Sequence, residues 1–162
     1  MVYQSKWQSL PTEAINPDSL GIDTMPILDI IEIISAEDRR VVTAVHRERE
    51  RIAHGVELVV GALRKGGRII LVGAGTSGRL GVLEAAEMPP TFSTSPELVQ
   101  AVMAGGREAM FRAREGVEDN FEEGARSSRR LRVSKKDVII GVSASGITPF
   151  VRGALTAART KG

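Results

Sequence analysis

The stretch Arg68-Ile69-Ile70-Leu71-Val72 runs straight into Gly73-Ala74-Gly75-Thr76-Ser77-Gly78 and on into Arg79-Leu80-Gly81-Val82-Leu83. An unbroken apolar run reads as a strand buried on both faces, and the glycine turn after it returns the chain as a helix. Such a unit commits a chain to parallel strands joined by right-handed crossovers. Two later apolar runs follow the same logic. Residues 97–105 and 137–142 read as a second and third strand, with a long polar helix over 107–130 between them and another helix from about Phe150. The expected fold class is therefore α/β: a three-layer, doubly wound parallel sheet preceded by an extended arm and helices.

Upstream of the sheet the texture differs. Residues 1–24 are polar, contain Pro11 and Pro17, and read as an extended arm. A short amphipathic helix is expected after Pro26. Ser35 and Asp38 resemble a capping box opening a second helix, with a break near Gly55 and an end at Lys65-Gly66-Gly67. The helix over the glycine loop is expected to stop at Pro89. Three segments follow: an arm, 1–24; a helical segment, 25–66, packing on the core and serving as a dimer partner; and 67–162. Three strands are few for this architecture, so 67–162 reads as the front portion of a larger doubly wound domain.

Composition narrows the chemistry. Twenty-two Lys and Arg against 20 Asp and Glu leave a formal charge of only +2, too little to imply nucleic acid. The basic run from Arg126 to Lys136 follows an acidic run from Glu115 to Glu123 and has no interleaved aromatics, so it reads as a solvated helix face. There is no cysteine, which removes thiol nucleophiles and thiolate metal ligands. His46 and His54 fall among Arg and Glu in helical sequence and read as surface residues, so no metal and no cofactor are expected. No apolar run is long enough to span a bilayer and MVYQSKWQSL lacks a signal core, so the expected location is cytoplasmic, with no membrane partner.

Gly73, Gly75 and Gly78 have the GxGxxG spacing of a dinucleotide loop. A dinucleotide site also needs an acid at the end of the next strand for the ribose hydroxyls. That strand ends Val102-Met103-Ala104-Gly105-Gly106, and Glu97 stands at its beginning, on the wrong edge of the sheet. Meanwhile Ser143-Ala144-Ser145-Gly146-Ile147-Thr148 directly follows the third strand. Parallel strands deliver their C-terminal ends to one edge, so this turn faces the edge that carries Gly75, Thr76 and Ser77. Short hydroxyls, Gly146 and helix N-termini make a cradle for a compact phosphomonoester.

GAGTSGR followed by SASGIT resembles the sugar isomerase (SIS) fold, whose members bind phosphosugars. The longer string GAGTSGRLGVLEAAEMPPTF is more specific, as are AGG at 104–106, EGVED at 115–119 and SASGITPFVRGAL. Together with TEAINPDS and AEDRRVVTAV, they resemble the N-acetylmuramic acid 6-phosphate etherase family, which is related to the glucokinase regulatory protein. The resemblance covers about Leu10 to Gly162. It implies a lyase that opens the sugar ring, removes the proton α to the aldehyde, expels D-lactate and adds water, giving N-acetylglucosamine 6-phosphate in the recycling of cell-wall sugar.

The resemblance further implies Glu87 as the acid/base and Glu118 as its partner, with Gly75, Thr76, Ser77, Ser143, Ser145, Gly146 and Thr148 on the phosphate. Read directly, Pro89 and Pro90 would leave Glu87 in the last helical turn, where the helix dipole disfavours a negative charge. Roughly 15 Å of helix at about 1.5 Å per residue separates Gly78 from Glu87, more than a hexose phosphate readily spans. Glu87 is therefore expected to serve the cradle of a second subunit, making a homodimer with shared sites. Ile147 stands where the family usually has Arg. The alternative reading is a phosphosugar-binding regulatory module without turnover.

Overall fold

A computed structural model describes residues 10–161. The chain divides into two compact units between Val56 and Glu57. That boundary falls inside a helix and ten residues before the sequence places it.

In the first unit, residues 10–24 fold into three 3-10 turns, at Pro11–Glu13, Pro17–Ser19 and Ile22–Thr24, where the sequence reads an extended arm. Proline at the first helical position of the first two explains the difference, because its fixed φ pre-sets a turn. Asn16 caps the second by accepting the Asp18 N–H at 3.0 Å. The rest of the expected arm, residues 1–9, lies outside the described residues. Helix α1 then runs unbroken over Ile27–Arg47. Ser35 and Asp38 are mid-helix and open nothing, since the apolar period continues through both. The interruption comes at Glu48, not Gly55, and α2 follows over Arg49–Arg64. α2 ends as the glycines require: the Gly66 N–H donates to the Leu63 carbonyl at 2.9 Å and the Gly67 N–H to the Ala62 carbonyl at 3.0 Å.

The second unit is built on three parallel strands, β1 (Ile69–Gly73), β2 (Val99–Met103) and β3 (Val138–Val142), in the order β2-β1-β3. Strand β1 is central, with Gly73 aligned to Met103 on one side and Val142 on the other. Helix α3 (Gly75–Phe92) joins β1 to β2 and lies on the Leu71 face, where a methyl on Gly81 would meet Leu71 and Ala101. Helix α5 (Pro149–Arg159) lies on the opposite face, where Val151 and Leu155 crowd Gly141. Period-2 alternation separates the two faces, and that alternation makes the three layers. Ile70, Val72 and Phe150 are the largest fully buried side chains of the core. Each contributes about 1.5–3 kcal/mol by leaving water.

The long polar helix expected over 107–130 is not continuous. Arg107–Met110 forms a 3-10 turn, 111–120 is irregular, and only Phe121–Arg130 is helical, as α4. Gly116 at φ 75° interrupts the run, and Asn120 restarts it by accepting the Glu123 N–H at 2.9 Å. Helix α4 packs closely on α5: a Cβ on Gly124 would collide with the Phe150 carbonyl, and one on Gly153 with the Phe121 carbonyl. The basic residues Arg126, Arg129 and Arg130 face outward, as a solvated helix face should.

At the opposite end of the sheet an ion pair fixes β3 beside β1. The Asp137 side chain is only 3% exposed. Its oxygens accept from the Arg68 main-chain N–H at 2.9 Å, from Arg68 Nε at 3.1 Å and Nη2 at 2.9 Å, and from the Ser134 N–H at 2.9 Å. The Arg68 guanidinium holds the Asp137 carboxyl well below the usual carboxylate range against the opposing cost of burial, and the Ser134 and Arg68 amides add to the effect. The pair's contribution is complete above the unfolded carboxyl value, about pH 3.9. It is lost as pH falls through the lower folded value, because the unfolded chain binds the proton first. Asp137→Asn is expected to cost about 3 kcal/mol at pH 7 by leaving Arg68 unpaired. The variant should also lose less stability than the parent between pH 4 and the acid transition, as urea titrations at several pH values will read.

Candidate functional site

Strand β1 has β2 on one side and β3 on the other, and the helices that follow β1 and β3, α3 and α5, lie on opposite faces of the sheet. In open α/β sheets the ligand crevice lies at the C-terminal ends of two neighbouring strands whose connections part in this way. Gly73 and Val142 are aligned there, about 4.8 Å apart as neighbouring strands. The two hydroxyl-bearing turns therefore start side by side.

The first turn depends on a contact that only glycine allows. A Cβ on Gly73 would lie 2.6 Å from the Gly78 nitrogen, and one on Gly78 would lie 2.9 Å from the Gly73 carbonyl oxygen and 2.8 Å from Met103 Cγ. The first and third glycines of GxGxxG thus press the start of α3 against the end of β1. Ala74 precedes the helix and has no side chain able to cap it. A helix leaves its first N–H groups without intrahelical partners. Here those groups belong to the turn that carries Gly75, Thr76 and Ser77, with Thr76 exposed and Ser77 half-buried.

The second turn is organised by its own hydroxyls. Ser143 Oγ and Thr148 Oγ1 lie 2.8 Å apart, and the Gly146 N–H donates to Ser143 Oγ at 3.1 Å. The Ile147 N–H reaches Ser145 Oγ at 3.4 Å. Ser143, Ser145 and Thr148 are half-buried, so their hydroxyls stay within reach of solvent. Thr148 precedes α5 but makes no side-chain cap.

The two carboxylates are placed differently. The Glu118 carbonyl accepts the Phe150 N–H at 2.9 Å, which ties this half-buried residue to the first turn of α5, next to the serine turn. Glu87 is exposed and lies on α3, which runs away from the crevice. Helix α3 does not stop at Pro89. It takes both prolines into its last turn and ends at Ser93, in the left-handed conformation, whose N–H donates to the Pro89 carbonyl at 2.9 Å. Glu87 is therefore more than a turn short of the helix end, where the helix dipole acts on it less than the sequence implies, since that influence fades within the last turn. The axial separation between Gly78 and Glu87 is roughly 13 Å at about 1.5 Å per residue, slightly below the roughly 15 Å read from the sequence.

Glu97 sits two residues before β2, exposed, at the opposite edge of the sheet, with the Ser95 hydroxyl holding its carboxyl below the usual range. A ribose at the crevice is out of its reach. Among the described residues no group of three or more His, Asp or Glu side chains is arranged to hold a metal, and no helix is long and apolar enough to cross a membrane.

Sequence reasoning overlooked Arg79. From the second turn of α3 its guanidinium donates from Nη2 to the Ala109 carbonyl at 2.8 Å and from Nε to the Met110 carbonyl at 3.0 Å. GTSGR contains the arginine, but nothing in the string tells that its partners lie thirty residues on.

These features define an α/β domain with two hydroxyl-bearing turns side by side at the C-terminal edge of its parallel sheet. The model of the glucokinase regulatory protein N-terminal SIS domain matches residues 51–159, and the chain belongs to that family. Among curated relatives it is 52% identical over 152 residues to an N-acetylmuramic acid 6-phosphate etherase of Salinibacter ruber, covering 94% of this chain and 49% of that protein. It is 47% identical over 152 residues to one of Gloeothece citriformis, and 45% over 160 residues to one of Picosynechococcus, the latter covering 99% of this chain and 53% of the relative. The chain spans about half the length of the curated relatives it matches.

The glycine contact yields a direct test. Gly78→Ala should lower stability by about 1–3 kcal/mol by forcing α3 off β1. Gly146→Ala, with open space around its Cβ position but φ at 71°, should cost about 1 kcal/mol. Urea midpoints of the two variants will rank them.

Proposed function

We propose that this chain carries the phosphosugar site of an N-acetylmuramic acid 6-phosphate etherase, a lyase acting in the cytoplasm during recycling of cell-wall sugar. The observation that carries the reading is the pairing of two hydroxyl-bearing turns across the β1–β3 crevice, in a chain whose relatives bear that name. Thr76, Ser77, Ser143, Ser145 and Thr148 donate to the phosphate, with the Gly75 and Gly146 main chain alongside. A dianionic phosphate opposite a helix N-terminus and hydroxyl donors is held without a metal. Binding exchanges the Ser143–Thr148 hydrogen bond for bonds to phosphate oxygens.

With the ring open, one carboxylate takes the proton α to the aldehyde and the other protonates the departing lactyl oxygen. The C–O bond breaks, a carbon–carbon double bond forms, and water adds across it. The products are N-acetylglucosamine 6-phosphate and D-lactate. Glu118, tied to α5, serves the cradle of its own chain. Glu87 serves the cradle of a second copy, and residues 25–66 contribute to that homodimer. Ile27, Ile31, Ile34, Val41 and Val45 support this by forming an exposed, heptad-spaced apolar stripe on α1, the pattern that seats another helix.

A second reading is a regulatory phosphosugar-binding module without turnover. The family-model match to a regulatory protein favours it, as does the exposure of Glu87 away from the crevice.

Incubation of the purified chain with N-acetylmuramic acid 6-phosphate should release D-lactate. N-acetylglucosamine 6-phosphate should raise its melting temperature, and Ser145→Asp should abolish both effects. A melting shift without lactate selects the module, and neither effect removes the phosphosugar reading. If Ser145→Asp and Glu87→Gln chains, each inactive alone, recover no activity when mixed, the shared site is wrong.

A further inference from the structure

The connection from β2 to α4, residues 104–120, is long for a link within an α/β unit, and its only regular element is the turn Arg107–Met110. It is nevertheless tied to both helices that start at the crevice. Arg79 of α3 grips its first half through the Ala109 and Met110 carbonyls, and the Phe150 N–H of α5 grips the Glu118 carbonyl. Packing joins the two grips. A methyl built on Gly105 would fall 3.0 Å from Ala109 Cβ and 3.4 Å from both γ-carbons of Val117, so these two side chains close over that glycine. Ala109 is only 3% exposed. Val117 is the residue next to Glu118. A guanidinium is a rigid, planar fork of donors, so two bonds to successive carbonyls fix a turn in orientation as well as in place.

We propose that Arg79 is a positioning residue for Glu118. By clamping the Ala109–Met110 turn it holds Val117 against Gly105, and with it the main chain from which the Glu118 carboxylate projects. Arg79 itself does not contact substrate. The inference rests on Glu118 acting as acid or base in the proposed reaction. The clamp is separable from phosphate binding, because Thr76 and Ser77 are placed by the Gly73–Gly78 contact rather than by Arg79.

The test compares the intact chain with Arg79→Met and Arg79→Lys. For Arg79→Met, kcat on N-acetylmuramic acid 6-phosphate should fall about 10²-fold, the scale of an ångström-sized misplacement. KM and the melting shift given by N-acetylglucosamine 6-phosphate should stay at parental values. Arg79→Lys, which keeps a cationic donor, should recover part of the rate. Amide hydrogen exchange should quicken at Asn120 and Phe150, whose N–H groups donate to the Val117 and Glu118 carbonyls, in Arg79→Met and stay unchanged in β1 and β3. Gly105→Ala leaves Arg79 intact but crowds Ala109 and Val117, and should reproduce the rate loss. An unchanged kcat, exchange at Asn120 and Phe150 equal to the parent, or ligand binding lost in step with kcat would overturn the assignment. If the parent chain releases no D-lactate, the etherase reading falls, and exchange at Asn120 and Phe150 alone decides for or against the clamp.

Discussion

The contact between Gly73 and Gly78 is the constraint on which the site depends. With no Cβ on either residue, the end of β1 and the first turn of α3 meet main chain to main chain. The approach sets the N-terminus of α3 at the sheet edge and brings Thr76 and Ser77 level with the turn after β3. A side chain at either position would push the helix outward and leave its unpaired N–H groups pointing elsewhere. The GxGxxG spacing is thus first a packing device. What binds beside it is decided by the neighbouring turn, which here offers hydroxyls, and by the absence of an acid at the end of β2.

The two ends of the sheet differ in how their polar groups are bonded. At the N-terminal edge, Arg68 and Asp137 lock β3 to β1 through a buried, multiply bonded carboxylate. In the turn after β3 the hydroxyls are half-buried, and those of Ser143 and Thr148 are bonded to each other. A mutual hydrogen bond of this kind keeps both hydroxyls satisfied. The close α4–α5 packing at Gly124 and Gly153 fixes the start of α5 without using any of the crevice's polar groups.

Much of this was legible in the sequence. Continuous apolar runs marked β1 and β3, but only the central strand β1 is well buried, while Ile140 and Gly141 of the edge strand β3 are exposed. Gly66 and Gly67 marked the end of α2, and Pro26 stood just before the start of α1. Local signals failed where two of them competed. Pro89 and Pro90 lie inside the last turn of α3, which runs on to Phe92 although each proline removes an i→i−4 hydrogen bond. Ser35 and Asp38 were overruled by an apolar period that runs through them. The charge pattern of 107–130 hid an irregular loop, because high polarity suits an exposed helix and a loop equally well.

By itself, the sequence determined the parallel α/β class, the βα unit around the three glycines, and the identity of the hydroxyl-bearing turns. Those follow from local hydrophobic pattern and from residues with special backbone freedom. Only the tertiary structure decided that β1 lies between β2 and β3, and so that the turns at 76–77 and 143–148 flank one crevice. It alone placed Glu118 beside α5 and Arg79 on carbonyls thirty residues distant. Strand order and long-range hydrogen bonds arise from how whole elements pack, and no window along the chain contains both partners.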